Sequence, residues 1–331
     1  ANLVFSEDFG NQVKKIRESS QCGLLIALMP GHFDQRGEPA ILDKWRRTAA
    51  LLEYGADLVI ELPFAHTVQG VTHFAQAAVE TLSSAGVDTL AFASETGNLE
   101  ELKQLSRMSF NADAIKEKAK EGTPYPKSYG LSAGAYYPFD ILGIAYLRAL
   151  LGKEITPLTY ACDADPFTSS PSSWPLYYPF LRWKLLTQDH ASLSRLFLFD
   201  EGTEHHLLKH TASCDTWDEL MQVCVTRRYT APRLLRVCAH LMVHTLKDEI
   251  VQSKGLTVLR ILGFDDAGRA YLKNLKAQEI RVASRFNQLP AVLRELEYRS
   301  TLAYAAPLSV QRRNALVERE MGGPVIKTRK V

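Results

Sequence analysis

"LLIALMPGHFDQRGEPAILDKWRR", residues 24–47, decides how this chain is read. An apolar run stops at Pro30-Gly31, and His32, Asp34, Gln35, Arg36, Glu38, Lys44 and Arg47 follow in quick succession. A buried strand that opens into a polar loop and then a helix is a common way to build a nucleotide site. Outward from this stretch the pattern alternates. Residues 23–29, 56–63, 87–94 and 155–161 read as strands. Residues 44–55, 72–86, 99–109 and 140–152 read as helices, with Gly55 and Gly86 closing the first two and Asn98 capping the third. Such alternation predicts crossover units and a parallel sheet, in an α/β fold that takes ligands at the carboxyl ends of its strands. The loop after residue 29, the turn at Pro63 and "SETG" (94–97) all leave from that edge.

The second half reads differently. "DADPFTSSPSSWPLYYP" (163–179) is rich in Pro and Ser and predicts a linker or long loop. Beyond it the periodicity is mostly helical. With 331 residues, a division is expected into an α/β domain over 1–165 and a basic helical domain over 166–331. Charge follows the same division: residues 1–165 hold 15 Lys and Arg against 21 Asp and Glu, a net of −6, and residues 166–331 hold 24 against 16, a net of +8. An acidic front and a basic back is the asymmetry expected if the back half meets a polyanion. No run of 18 apolar residues is present, so no membrane helix is expected. The beginning lacks the basic and apolar regions of a signal peptide. The five cysteines lack CxxC spacing, which argues against a disulfide framework or a zinc site and for a cytoplasmic location.

Several groups invite chemistry. In "PGHFDQRGEP", Arg36 can clamp an anion and His32 can donate a hydrogen bond or a proton, unless Arg36 is satisfied by Asp34 or Glu38. Asp43 is placed to cap the next helix, where Lys44 and Arg47 share a face as an anion site or a solvated helix end. His205, His206 and His210 invite a metal, and His206 and His210 are spaced as two zinc ligands would be, but no Asp, Glu or Cys at a third position completes the set, so the expectation is solvated histidines and no metal. "TRRYTAPRLLR" (226–236) gathers Arg227, Arg228, Arg233 and Arg236 around Tyr229, a usable surface for RNA backbone and stacked bases. No P-loop, GxGxxG or GxSxG motif is present.

Seven blocks then occur in one order: "GHFDQRGEPAILDKWRR", "GADLVIELP", "FAQAAVETLSSAGVDTLAFASE", "DILGIAYLRALLG", "EGTEHHLLKH", "TRRYTAPRLLR" and "RILGFDDAGRAYLK". Together they resemble the bacterial tRNA(Met) cytidine acetate ligase family over nearly the whole chain. The resemblance implies a nucleotidyltransferase-like α/β domain and a helical region. It also implies the family's chemistry, in which acetate is activated by ATP to an acetyl-adenylate and passed to N4 of the wobble cytidine of elongator tRNA(Met).

The departures are specific. The family opens with a strand and an HxGH-type loop whose histidines stabilise charge on the phosphates. Here that stretch is "SEDFGNQVKKIR", and no histidine precedes His32. The family's Phe-Gly-Ser-Glu reads Phe92-Ala93-Ser94-Glu95, its Asn before "ILG" falls near Phe139-Asp140, and its arginine after the fourth strand has no match in "LTYACDADP". Its "SATSIR" segment is deleted. The expectation is a degenerate relative, a pseudoenzyme without bound cofactor, acting on tRNA or another RNA, with no DNA or membrane partner. A residual pocket is expected from His32, Gln35, Arg36, Glu38, Lys44, Arg47, Ser94 and Glu95. Two alternatives stay open: an active ATP- and magnesium-dependent ligase with a rebuilt site, and a protein–protein scaffold using "SSWPLYYPF".

Overall fold

The computed structural model describes residues 7–107, 137–162 and 173–328. Helix α1 (Glu7–Ser20) leads into strand β1 (Ile26–Pro30). Then come α2 (Lys44–Glu53), β2 (Leu58–Leu62), α3 (Phe64–Thr67), α4 (Val71–Ser84), β3 (Thr89–Ser94), α5 (Leu99–Arg107), α6 (Pro138–Ala149) and β4 (Thr156–Ala161). The alternation read from the sequence is thus present, and α2 is capped by Asp43, whose side chain accepts the N–H groups of Trp45 and Arg46.

The strands form two separate parallel pairs, β1–β2 and β3–β4. Among the described residues no strand pairs with the outer edge of β1. Ile26 and Leu28 of β1 still pack against the cluster around Leu90 and Phe92 of β3.

The second half holds helices α7 (Trp174–Thr187), α8 (His190–Ser194), α9 (Thr203–Thr211), α10 (Trp217–Cys224), α11 (Ala231–Val243) and α12 (Lys247–Ser253). Strand β5 (Leu259–Phe264), α13 (Asp266–Ala277), β6 (Val282–Ala283), α14 (Ala291–Ala305), α15 (Val310–Met321) and β7 (Val325–Ile326) complete it. It is mostly helical as expected, but it also returns strands to the first half. β5 pairs antiparallel with β2, and β6 and β7 each pair parallel with β5. "RILGF" therefore belongs to the sheet shared by both halves. One core runs across both, from Met29, Phe33 and Trp45 to Trp174, Leu234 and Leu296.

The expected linker over 163–179 is corrected where the structure describes it. Helix α7 begins at Trp174 and carries Pro179 inside it. Trp174, Tyr177, Tyr178, Leu181 and Leu185 are all buried, at helical spacing, and Trp174 stacks on Trp217 at 5.2 Å. Burying so much aromatic surface outweighs the proline's lost hydrogen bond. Residues 163–172 lie outside the described residues.

The loop after β1 is held from two sides. Its Asp34 carboxylate accepts the N–H groups of Arg36 and Glu38. At Gly37 (φ +87°) the backbone passes against α11, where a Cβ would lie 2.6 Å from the Leu235 carbonyl oxygen. Only glycine allows both that dihedral and that approach. No helix among the described residues is long and apolar enough to cross a membrane, and all five cysteines are free, three of them buried.

Candidate functional site

Lys44 and Arg47 project from the first turn of α2 into the interior and are 0% and 1% exposed. This corrects their reading as a solvated helix end or a free anion site. The Lys44 ammonium lies 2.8 Å from Glu61 of β2, 2.9 Å from Glu320 of α15 and 3.6 Å from Glu297 of α14. Arg260 of β5 completes the cluster, 3.8 Å from Glu61 and 3.6 Å from Glu320. Arg47 donates to the carbonyls of Gly31 and Leu42. Ions leave water only when they are paired, and these pairs join β2 and β5 to the last two helices.

The charges balance through one proton. Lys44 and Arg260 face three carboxylates. Burial, reinforced by Glu61, pushes the Glu297 carboxyl up to about 8. Burial opposes the charged form of Lys44, but Glu320, Glu61 and Glu297 outweigh it and hold its pKa above the ordinary range. Burial raises the Glu320 carboxyl too, but Lys44 and Arg260 draw it back, so at neutral pH Glu297, the carboxylate farthest from Lys44, is the group that keeps its proton, leaving two anions for two cations.

His32 is fully buried and stacks on Tyr304 at 4.6 Å, with neither ring nitrogen hydrogen-bonded. Burial, and then the nearby charges of Lys44 and Arg47, keep it neutral. His240, whose Nε2–H donates to the Val68 carbonyl, is likewise lowered by burial to about 4.

These shifts predict a stability maximum near pH 6.5. His32 and His240 have depressed folded pKa values, so stability falls as pH drops below about 6.5, their unfolded value. Glu297 has a raised folded pKa, so stability also declines as pH rises from about 4.5 towards 8. The two histidines outweigh the one carboxyl on the acid side. Urea unfolding across pH 5–9 measures the curve. Glu297→Gln is expected to flatten the alkaline limb and steepen the acid one, and an unchanged alkaline limb would remove Glu297 as its source.

The remaining predicted pocket residues are dispersed. Gln35 donates to the Gln69 carbonyl, and Glu38 accepts the N–H of Ser173. Glu38 thus ties this loop to the second half, whereas Gln35 holds it to the first and Asp34 braces it from within, and Arg36 is half-buried.

Ser94 and Glu95, at the carboxyl end of β3, make a different arrangement with the start of α6. The Glu95 carboxylate accepts the N–H groups of Phe139 and Asp140, each at 2.9 Å. In return, Asp140 accepts the Ser94 hydroxyl at 2.5 Å and the Glu95 N–H at 3.1 Å. Gly97 N–H donates to Ser94 Oγ at 2.8 Å. A strand end and a helix N-terminus normally offer such donors to an anionic ligand. Here protein carboxylates occupy them. Sequence reading put Ser94 and Glu95 together but missed Asp140 as their partner; an acidic residue at the helix's first turn was the available signal.

The basic segment is also changed by tertiary packing. Arg227 and Arg228 are exposed. Tyr229 is not a free stacking platform: it is buried, its ring stacks on His206 at 4.4 Å, and its hydroxyl donates to the Glu201 carbonyl. Arg233 pairs with Glu201 at 3.0 Å, and burial lowers Arg236 to about 10.

Sheet, crossover helices and strand-end site together define a nucleotidyltransferase-type scaffold. The family model described as HIGH Nucleotidyl Transferase matches residues 10–170 and 160–318. Among similar proteins, the tRNA(Met) cytidine acetate ligase of Streptococcus mutans is 32% identical over 81% of this chain and 84% of its own. That of Geobacillus sp. (strain WCH70) is 28% identical over 94% of each. The crystal structure of Thermotoga maritima TmcAL bound with alpha-thio ATP superposes with a TM-score of 0.86 at 21% identity, covering 98% of this chain and 97% of that one. The chain belongs to the tRNA(Met) cytidine acetate ligase family of HIGH nucleotidyl transferases.

Proposed function

We propose that this chain is a catalytically degenerate member of its family, which binds tRNA and forms no adenylate. The reciprocal pairing of Glu95 and Asp140 carries this reading. Donors suited to an anion are already taken, and the two carboxylates set negative charge where a polyphosphate would approach. Two further observations support it. His32 is sealed inside the protein with neither ring nitrogen hydrogen-bonded, and Lys44 and Arg47 are buried with it. Neither ATP nor magnesium is therefore a cofactor of this chain. The activity named for its relatives, the net charge of +8 over residues 166–331 and the exposed Arg227 and Arg228 favour tRNA as the ligand, in the cytoplasm.

Calorimetric titration of ATP with magnesium into the purified chain tests this reading. No heat is expected up to millimolar nucleotide. Micromolar binding abolished by Arg36→Ala would overturn it in favour of a rebuilt ligase. A second reading, protein docking, is favoured by Leu176, Phe180 and Trp183, which lie exposed on one face of α7.

A further inference from the structure

We propose that His190, Glu204 and His205 form a binding site for a divalent transition metal, of which Zn2+ is the representative. Their ligand atoms lie within 4.8 Å of one another, on two helices that follow each other in the chain. His190 opens α8, behind the capping Asp189. Glu204 and His205 lie in the first turn of α9. The site is distinct from the strand-end region and from the buried charge cluster.

Three features point to a metal rather than to solvated side chains. First, the two imidazoles face each other, with ring centroids 4.0 Å apart. Their ring nitrogens come within 4.8 Å of each other and of the Glu204 carboxylate, and a divalent ion binds both rings in the neutral form. Second, the Glu204 carboxylate is buried beneath them. Its Oε1 meets His190 Nε2 at 3.2 Å, whereas its Oε2 is buried without a hydrogen-bond partner. A buried carboxylate oxygen left unpaired costs free energy that a cation recovers. Third, both histidines are exposed, so an ion can enter and small rotamer changes can bring the donors together. Tetrahedral zinc requires donors about 3.3 Å apart, within reach of such adjustments.

The donor set decides the class of ion. Two imidazoles and one carboxylate suit Zn2+, Co2+ or Ni2+ and not Mg2+ or Ca2+. The set leaves at least one coordination position open to water. The other group of three carboxylates, Glu61, Glu297 and Glu320, takes no metal, because the Lys44 ammonium already sits among them. The spacing-based pair His206 and His210 is not the ligand pair. His206 binds the Cys224 carbonyl and stacks on Tyr229. Only folding brings His190 to His205.

The test uses the full chain, stripped with chelator and titrated with CoCl2 and ZnCl2. Cobalt absorption reports the ligands, since imidazole and carboxylate give no thiolate charge-transfer band. One ion per chain with micromolar affinity and no thiolate band is expected. His190→Ala and His205→Ala should each weaken binding by roughly 100-fold or more, because losing even an outer partner costs 10–100-fold. His210→Ala should leave it unchanged. Both ligand histidines are exposed, and circular dichroism checks that the variants fold. No binding at 100 µM metal, about a hundred times the expected dissociation constant, would overturn the proposal. So would binding that survives His190→Ala or that shows a thiolate band.

Discussion

Lys44→Met is expected to destabilise the protein by about 3–5 kcal/mol, the cost of stripping one partner from a buried ion cluster. In thermal unfolding this corresponds to a loss of roughly 10 °C. The reason lies in what remains. Methionine fills the lysine's volume, but Glu61 and Glu320 then share only Arg260, whose guanidinium is 3.6 Å or more from either. One of them must take up a proton or stay unpaired in a site that is 0% exposed. Adding Glu320→Gln removes the excess charge. The double variant is therefore expected to recover part of the loss, which a double-mutant cycle in urea reads directly. Equal stability of Lys44→Met and the parent would mean that the carboxylates are neutral without the lysine, and the charge balance argued above would fail.

Retention of tRNA is expected to fall steeply with salt. A surface using about three to five phosphate contacts loses on the order of 10–10³ in affinity between about 50 and 200 mM salt, because each contact releases condensed counterions. The structure separates the arginines of "TRRYTAPRLLR" by accessibility. Arg227→Ala and Arg228→Ala should each reduce the salt slope by about 1, as the loss of one phosphate contact does. Arg236→Ala should not, since Arg236 lies where Gly37 meets α11. Tyr229→Ala is expected to loosen the His206 stack and the turn at Glu201 instead of removing a base platform. Gel-shift titrations at several salt concentrations measure all four. Salt-independent retention, or none, would remove the RNA reading and leave the exposed apolar face of α7 as the better guide to a partner.

Both predictions depend on contacts of different legibility. Local signals were reliable: Asp43 caps α2, and Asn98 accepts the Glu101 N–H ahead of α5. The first four strands fell where apolar runs met turn residues. "RILGF" escaped notice as a strand because its pairing is supplied by β2, two hundred residues earlier. The first turns of α7, with Pro175 and Pro179, read as linker in the sequence although the rest of the helix does not, because their stability comes from aromatic burial against Trp217 and Tyr304, which local propensity does not register.

The sequence by itself determined the family, the α/β class of the first half, and the helical and basic character of the second. These depend on residue identity and short-range periodicity. Tertiary structure alone decided that Lys44 and Arg47 turn inward, that Glu95 and Asp140 close each other's backbone donors, that Tyr229 is covered, and that His190 meets His205. A charged side chain reads the same in sequence whether water or a buried partner satisfies it, and only packing settles which one does.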